Sequence, residues 1–113
     1  MPCAAPLPGE TVLVKSASSA FTGTGLDDHL RSNGIDRLVV VGAVAAFCVT
    51  STVRWASDLG YTVLLPGDAL IGFDLPRPDG SRIPAETLLD VTLTLLGADF
   101  ARVLPASDVA RAL

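Results

Sequence analysis

The chain has 113 residues, of which 50% are hydrophobic and 18% are charged, and its formal net charge is -4. A small acidic chain whose arginines are scattered singly is not expected to bind nucleic acid. Ordinary domains contain about 25% charged residues, so this low charge predicts that apolar surface is covered by another chain, most simply in a homo-oligomer.

Hydrophobic runs alternate with segments that have helical spacing. Runs rich in β-branched and aliphatic residues predict four strands, at 11–15, 37–44, 62–70 and 100–105. Capping and stop signals predict four helices, at 26–34, 48–59, 84–98 and 107–113, the last capped by Ser107. Polar, Gly-rich and Pro-rich stretches predict loops at 16–25 and 74–82. This alternation predicts an α/β fold, a three-layer α/β/α sandwich with a parallel sheet.

The first ten residues lack the basic and apolar regions of a signal peptide. The longest apolar run, 38–49, is shorter than the ~20 residues of a membrane span. The two cysteines, Cys3 and Cys48, are too few for a disulfide framework, although a single bond between them stays open. We therefore expect a reduced, cytoplasmic protein without a membrane partner.

Polar side chains follow three of the predicted strands. Lys15, the only lysine, ends the first strand, Cys48 follows the second and Asp68 follows the third. Parallel strands gather reactive groups beyond their carboxyl ends. A thiol at a helix N-terminus is favoured as the thiolate, and the N–H groups there can hold an oxyanion. The alternatives are a buried, inert cysteine and a lysine that extends to water.

A series of short motifs runs from about Glu10 to the C-terminus. These motifs are Lys15, Ser19-Ala20-Phe21, Gly23-Thr24, Gly42, Cys48-Val49, Thr52, Ala56, Gly60-Tyr61 and Asp68-Ala69. Taken together, their spacing resembles that of the isochorismatase-like cysteine hydrolases. That family includes nicotinamidases, N-carbamoylsarcosine amidases and isochorismatases.

The resemblance implies a truncated isochorismatase-like, Rossmann-like fold in one domain, residues 1–113. It implies that Cys48 is the nucleophile and Lys15 the active-site lysine. The backbone N–H groups of Val44 and Cys48 would form the oxyanion hole, with a cis peptide at Ala43–Val44. Most members cleave an amide C–N bond through a thioester, so the presence of the cysteine predicts this reaction on a small amide-type substrate.

The family's catalytic aspartate and its metal-binding Asp and His belong to first strands that have no counterpart in this sequence. In the family's strand order, 3-2-1-4-5-6, those strands lie between the lysine strand and the cysteine strand. We expect the sheet to close up, to leave a gap or to be completed by another chain. We expect no metal and no cofactor. Asp68 is the best-placed substitute acid, unless it only fixes its own turn.

An apolar substrate pocket is predicted beside the cysteine, with Phe21, Phe47 and Phe73 as candidate walls. Three functions stay open. The chain is a small cysteine hydrolase, a non-hydrolytic family derivative (a pseudoenzyme or a catalyst of other chemistry), or one half of a split hydrolase that a complementary chain completes. The residues do not identify the substrate.

Overall fold

The computed structural model describes residues 4–113, so Cys3 lies outside the described residues. The helices are α1 Leu26–Ser32, α2 Thr50–Asp58, α3 Ala85–Asp99 and α4 Val109–Ala112. The strands are β1 Arg37–Val39, β2 Gly42–Ala43, β3 Thr62–Pro66, β4 Leu70–Ile71, β5 Leu75–Pro76, β6 Arg82–Ile83 and β7 Arg102–Leu104. A π-helical turn, Ala45–Val49, precedes α2, and 3₁₀ turns span Gly67–Ala69 and Ala106–Asp108.

The central sheet of the described chain is parallel, with the strand order β1-β3-β7. Leu38 pairs with Val63, and Leu65 pairs with Val103. A second parallel pair, β2 and β4, follows on from β1 and β3. The predicted α/β class with a parallel sheet is thus confirmed.

The core lies where α2 and α3 pack against the sheet and against each other. Val53 and Ala56 of α2 are fully buried, as is Leu65 of β3, and Leu96 of α3 is buried with them. Burying a side chain of Val or Leu size stabilises a fold by about 1.5–3 kcal/mol. Within residues 4–113, every helix is too short or too polar to cross a bilayer.

Residues 11–15 are not a strand, so that prediction is wrong. Val12 is 61% exposed and Val14 is 90% exposed. No strand in the described part of the chain pairs with this segment, and β-branched residues form a strand only where a neighbour completes the ladder. Within residues 4–113 the sheet does not close up onto this segment, because β1 is left as an edge strand, and completion by another chain stays a prediction.

The segment predicted as a loop at 74–82 forms most of the antiparallel hairpin β5–β6, which ends at Ile83. The backbone N–H of Arg77 donates to the carbonyl of Ser81 at 2.6 Å, and that of Gly80 donates to Arg77 at 2.9 Å. Gly80 has a φ of 89°, which its position in the turn requires. The hydrogen bonds from the hydroxyl and the backbone N–H of Ser81 lower the pKa of Asp79 below its usual value.

The C-terminal helix is shorter than predicted. The predicted span 107–113 contains a 3₁₀ turn followed by α4, which begins at Val109. Asp108 occupies the N-cap position and no side chain caps the helix, so the predicted role of Ser107 is wrong. Arg37 at the start of β1 donates to the carbonyl of Ala112 at 3.4 Å, which ties the chain end to the sheet.

Candidate active site

Cys48 lies in the π-helical turn between β2 and α2. The carbonyl of Val44 accepts hydrogen bonds from the N–H groups of Phe47 at 3.0 Å and Val49 at 3.3 Å. Val49 is buried and fixes the turn to the core, while Cys48 remains partly exposed. The peptide bond between Ala43 and Val44 is cis, as the resemblance implied.

Lys15 reaches Cys48 although its segment lies outside the sheet. Its Nζ lies 3.3 Å from Cys48 Sγ and donates to the carbonyl of Ala17 at 2.9 Å. An ammonium group at this distance attracts negative charge on the sulfur. Because the hydrogen bond lies at the exposed surface, water and salt weaken the attraction. The structure thus brings the two predicted reactive side chains together.

The loop that follows Lys15 is tied to α2 by side-chain hydrogen bonds. The hydroxyl oxygens of Ser18 and Ser51 lie 2.7 Å apart. The backbone N–H of Ala20 donates to Thr52 Oγ1 at 3.0 Å. Neither serine could be predicted as a partner from the sequence, because the serines of a polar loop do not reveal a partner far along the chain. These bonds hold Lys15 near the cysteine.

Tyr61 secures the same loop from the core side. Its ring stacks on Phe21 with 5.8 Å between the ring centroids. Its hydroxyl donates to Asp27 Oδ1 at 2.5 Å, and the guanidinium of Arg31 lies 4.9 Å from its ring centroid. Burial and the hydrogen bond to Asp27 raise the pKa of Tyr61 above its usual value. Phe21 is therefore a core residue as well as a wall of the cavity beside the cysteine.

A cavity of about 370 Å³ opens beside Cys48 and runs along β1. Its walls are mostly apolar and include Phe21, Leu26 and Val39. Lys15 is the one charged side chain among the described residues that line it. The predicted apolar pocket is present, but β1 rather than the predicted aromatic residues supplies much of its wall.

Phe47 and Phe73 are absent from the described lining of this cavity, which corrects their prediction as pocket walls. Phe47 is 47% exposed; it is adjacent to Cys48 in a helical turn, where neighbouring residues do not face the same way. Phe73 lines a separate small depression with Val44 and Leu88 of α3.

Asp68 is also turned away from the cysteine. Its Oδ1 accepts the backbone N–H of Ala106 at 2.8 Å, and the side chain lines a different depression beside β7. It therefore holds the distant 3₁₀ turn Ala106–Asp108, rather than its own turn as the alternative to the substitute acid had it. No carboxylate of residues 4–113 lines the cavity beside Cys48. Nor do those residues contain three clustered side chains of the types that bind metals, and the absence of a metal stays a prediction.

Comparison with known proteins decides the family. Residues 1–80, which contain both Lys15 and Cys48, match the model of the isochorismatase domain. The chain belongs to the isochorismatase family. The uncharacterized isochorismatase family protein YrdC of Bacillus subtilis is 30% identical to this family member over 104 residues, which cover 92% of the chain and 56% of that protein. The N-carbamoylsarcosine amidase of an Arthrobacter species is 41% identical over 80 residues, covering 71% and 27% respectively.

A solved isochorismatase from Pseudomonas putida has the same fold as this isochorismatase-family chain. The TM-score is 0.91 and the sequence identity is 35%, and the match covers 96% of this chain but 55% of the solved one. The matches cover 56%, 27% and 55% of these three proteins, so the chain spans only part of each relative's length. The family and the fold inferred from the sequence are both confirmed.

Proposed function

We propose that this chain carries the cysteine nucleophile of a hydrolase that cleaves the C–N bond of a small amide-type substrate. The observation that supports the proposal most directly is the 3.3 Å approach of Lys15 Nζ to Cys48 Sγ beside an accessible cavity. The similarity to an amidase over 80 residues adds to it. Residues 1–113 would act as a single domain in this reaction.

The first half of the reaction forms a thioester. The Cys48 thiolate attacks the carbonyl carbon, a C–S bond forms and the carbonyl oxygen becomes an oxyanion. The backbone N–H groups of Val44 and Cys48 are the proposed donors to that oxygen. The C–N bond then breaks, and the nitrogen leaves as an amine after it takes a proton. Lys15 would stabilise the thiolate and supply that proton from its ammonium group.

The second half of the reaction releases the acid. Water attacks the thioester carbonyl, the C–S bond breaks and the sulfur leaves as a thiolate. A general base must take a proton from the attacking water and return it to Lys15, which lost its own proton in the first half. Because no carboxylate of residues 4–113 lines the cavity, we place this base outside those residues.

The test separates acylation from turnover. With p-nitrophenyl acetate as the acyl donor, we expect a burst of p-nitrophenol and one acetyl group on Cys48, located by mass spectrometry of peptides. Cys48→Ala should lose both signals, whereas the matched thiol variant Cys3→Ser should keep them. Equal bursts from wild type and Cys48→Ala would remove the nucleophile from the proposal.

Amide hydrolysis is then measured as ammonia release from a panel of small primary amides. Cys48-dependent release from at least one of them is the expected result. If Cys48 is acylated by the ester but no amide releases even one equivalent of ammonia per chain, the non-hydrolytic family derivative replaces the amidase. The lack of a carboxylate beside the cavity in residues 4–113 is the observation that favours this second candidate.

A further inference from the structure

We propose that Thr50 is a positioning residue for the oxyanion hole, because its hydroxyl holds open the turn that spares the N–H group of Cys48. The term wide turn refers to the π-helical turn Ala45–Val49, which precedes α2. Only the use made of the spared N–H rests on the proposed hydrolase function. The effect of Thr50 on the shape of the turn is a separate property with its own readout.

The wide turn keeps the N–H group of Cys48 off the carbonyl of Val44. That carbonyl accepts the N–H groups of Phe47 at 3.0 Å and Val49 at 3.3 Å, the neighbours of Cys48 on either side. In an α-helix each N–H donates to the carbonyl four residues earlier, which for Cys48 is that of Val44. In a π turn the donor lies five residues on, so Val49 takes the place of Cys48. The Cys48 N–H is thereby spared for an oxyanion.

The same shift in register deprives the carbonyl of Ala45 of its α-helical donor. In an α-helix Val49 would donate to Ala45, but here it donates to Val44. The hydroxyl of Thr50 supplies a donor instead, at 2.6 Å from the Ala45 oxygen. Ala45 is 2% exposed, so water has little access to replace that hydroxyl. Because the loss of a hydrogen bond to a buried carbonyl is costly, the Thr50 bond stabilises the wide turn.

Thr94 in α3 shows how the same side chain bonds in a regular helix. Its hydroxyl donates to the carbonyl of Asp90, four residues earlier, at 2.8 Å. Threonine hydroxyls in α-helices commonly bond in this way. Thr50 reaches five residues back instead, to Ala45, which matches the π register. The bond made by Thr50 therefore belongs to the wide turn, and Thr94 provides a matched control.

Removal of the Thr50 hydroxyl should narrow the turn toward the α register. The carbonyl of Ala45 would then accept the N–H of Val49, as in a regular helix. The carbonyl of Val44, released from Val49, would accept the N–H of Cys48. That N–H would no longer be available to an oxyanion, while the cysteine sulfur would remain accessible to reagents.

Two reagents separate the oxyanion hole from the general reactivity of the thiol, and the Cys48 thiolate attacks both. With p-nitrophenyl acetate a C–S bond forms, the carbonyl oxygen becomes an oxyanion, and p-nitrophenolate then leaves as the ester C–O bond breaks. With iodoacetamide a C–S bond forms as iodide leaves, and no oxyanion arises. In a Cys3→Ser background, Thr50→Val should slow acylation about tenfold and change alkylation by less than about twofold.

Two further variants show whether the hydroxyl itself is responsible. Thr50→Ser keeps a hydroxyl at the same position and should hold acylation within about twofold of the parent protein. Thr94→Val, the matched control, removes the same kind of bond from α3 and should change neither rate. Circular dichroism checks each fold, and Thr50→Ala serves if Thr50→Val does not fold.

Amide hydrogen exchange followed by NMR measures the shape of the turn without catalysis. Thr50→Val should slow exchange of the Cys48 N–H about tenfold, because that group gains the Val44 carbonyl as a partner. Thr50→Ser and Thr94→Val should leave its exchange unchanged.

Four results would overturn the proposal. They are equal effects of Thr50→Val on the two reagents, equal slowing of acylation by Thr50→Ser, equal slowing by Thr94→Val, and unchanged exchange of the Cys48 N–H in Thr50→Val. If p-nitrophenyl acetate acylates none of the proteins, the proposed function fails. The exchange measurement alone then decides whether Thr50 holds the wide turn.

Discussion

Residues 11–15 and β3 have almost the same sequence, TVLVK and TVLLP, yet they differ in structure. β3 lies between β1 and β7, and its Leu65 is fully buried. Val14 in the other segment is 90% exposed. Local preference for the strand conformation is similar in the two runs, so the difference comes from the neighbours. A strand sequence is stabilised by its partners on both sides more than by its own residues.

The two segments should differ most in how far a substitution lowers the free energy of unfolding. Leu65→Ala removes a buried side chain and should lower the free energy of unfolding by about 2–5 kcal/mol. Val14→Ala alters an exposed side chain and should change it by less than about 0.5 kcal/mol. Urea denaturation of both variants checks this. Similar losses would mean that residues 11–15 are packed in solution.

Lys15 is the exception in the exposed segment, because its side chain reaches the cysteine. In a Cys3→Ser background, Lys15→Ala should slow alkylation of Cys48 by iodoacetamide at pH 7 about three- to tenfold. Lys15→Arg keeps a cation and should keep most of the rate. Equal alkylation rates in all three proteins would mean that Lys15 does not activate Cys48.

Tyr61 connects the two segments, since it precedes β3 and stacks on Phe21 of the loop after Lys15. Its pKa is raised above the model-compound value of 10.0 by burial and by the hydrogen bond to Asp27. Its contribution to stability is therefore complete below pH 10 and is lost as the pH rises through the raised pKa. Tyr61→Phe keeps the ring and should remove this alkaline dependence. Thermal unfolding of both proteins between about pH 9 and 11 measures this loss of stability, the smallest of the expected effects.

Much of the fold could be predicted because each helix carries its own signals. The stop at Gly34, the apolar stripe through Val53 and Ala56, and Pro84 before α3 place the main helices to within a few residues. The hairpin in 74–82 was missed because its strands have two residues each, too short for an alternating pattern. Residues 11–15 were wrongly predicted because the sequence of a segment does not show whether it has a neighbour.

The candidate site was predictable in part. Lys15 and Cys48 follow from motif spacing, and the structure brings them together although residues 11–15 form no strand. The rule that reactive groups gather at strand ends misplaced Asp68, because a strand-end carboxylate can equally bind a nearby backbone N–H, here that of Ala106. The direction in which the Phe47 side chain points depends on its position in the turn, and composition does not reveal that position. The oligomeric state and the cytoplasmic location stay predictions.

The β5–β6 hairpin has a practical consequence for labelling the protein. Hydrogen bonds among Arg77, Asp79, Gly80 and Ser81 hold its tip. The tip therefore does not depend on hydrogen bonds to other parts of the chain. An affinity tag placed ahead of residue 4 would be joined to the segment that carries Lys15, the side chain that contacts Cys48. Exposed tips closed by their own bonds tolerate insertions well. An epitope placed within this hairpin would allow purification and surface immobilisation while residues 4–15 keep their natural surroundings.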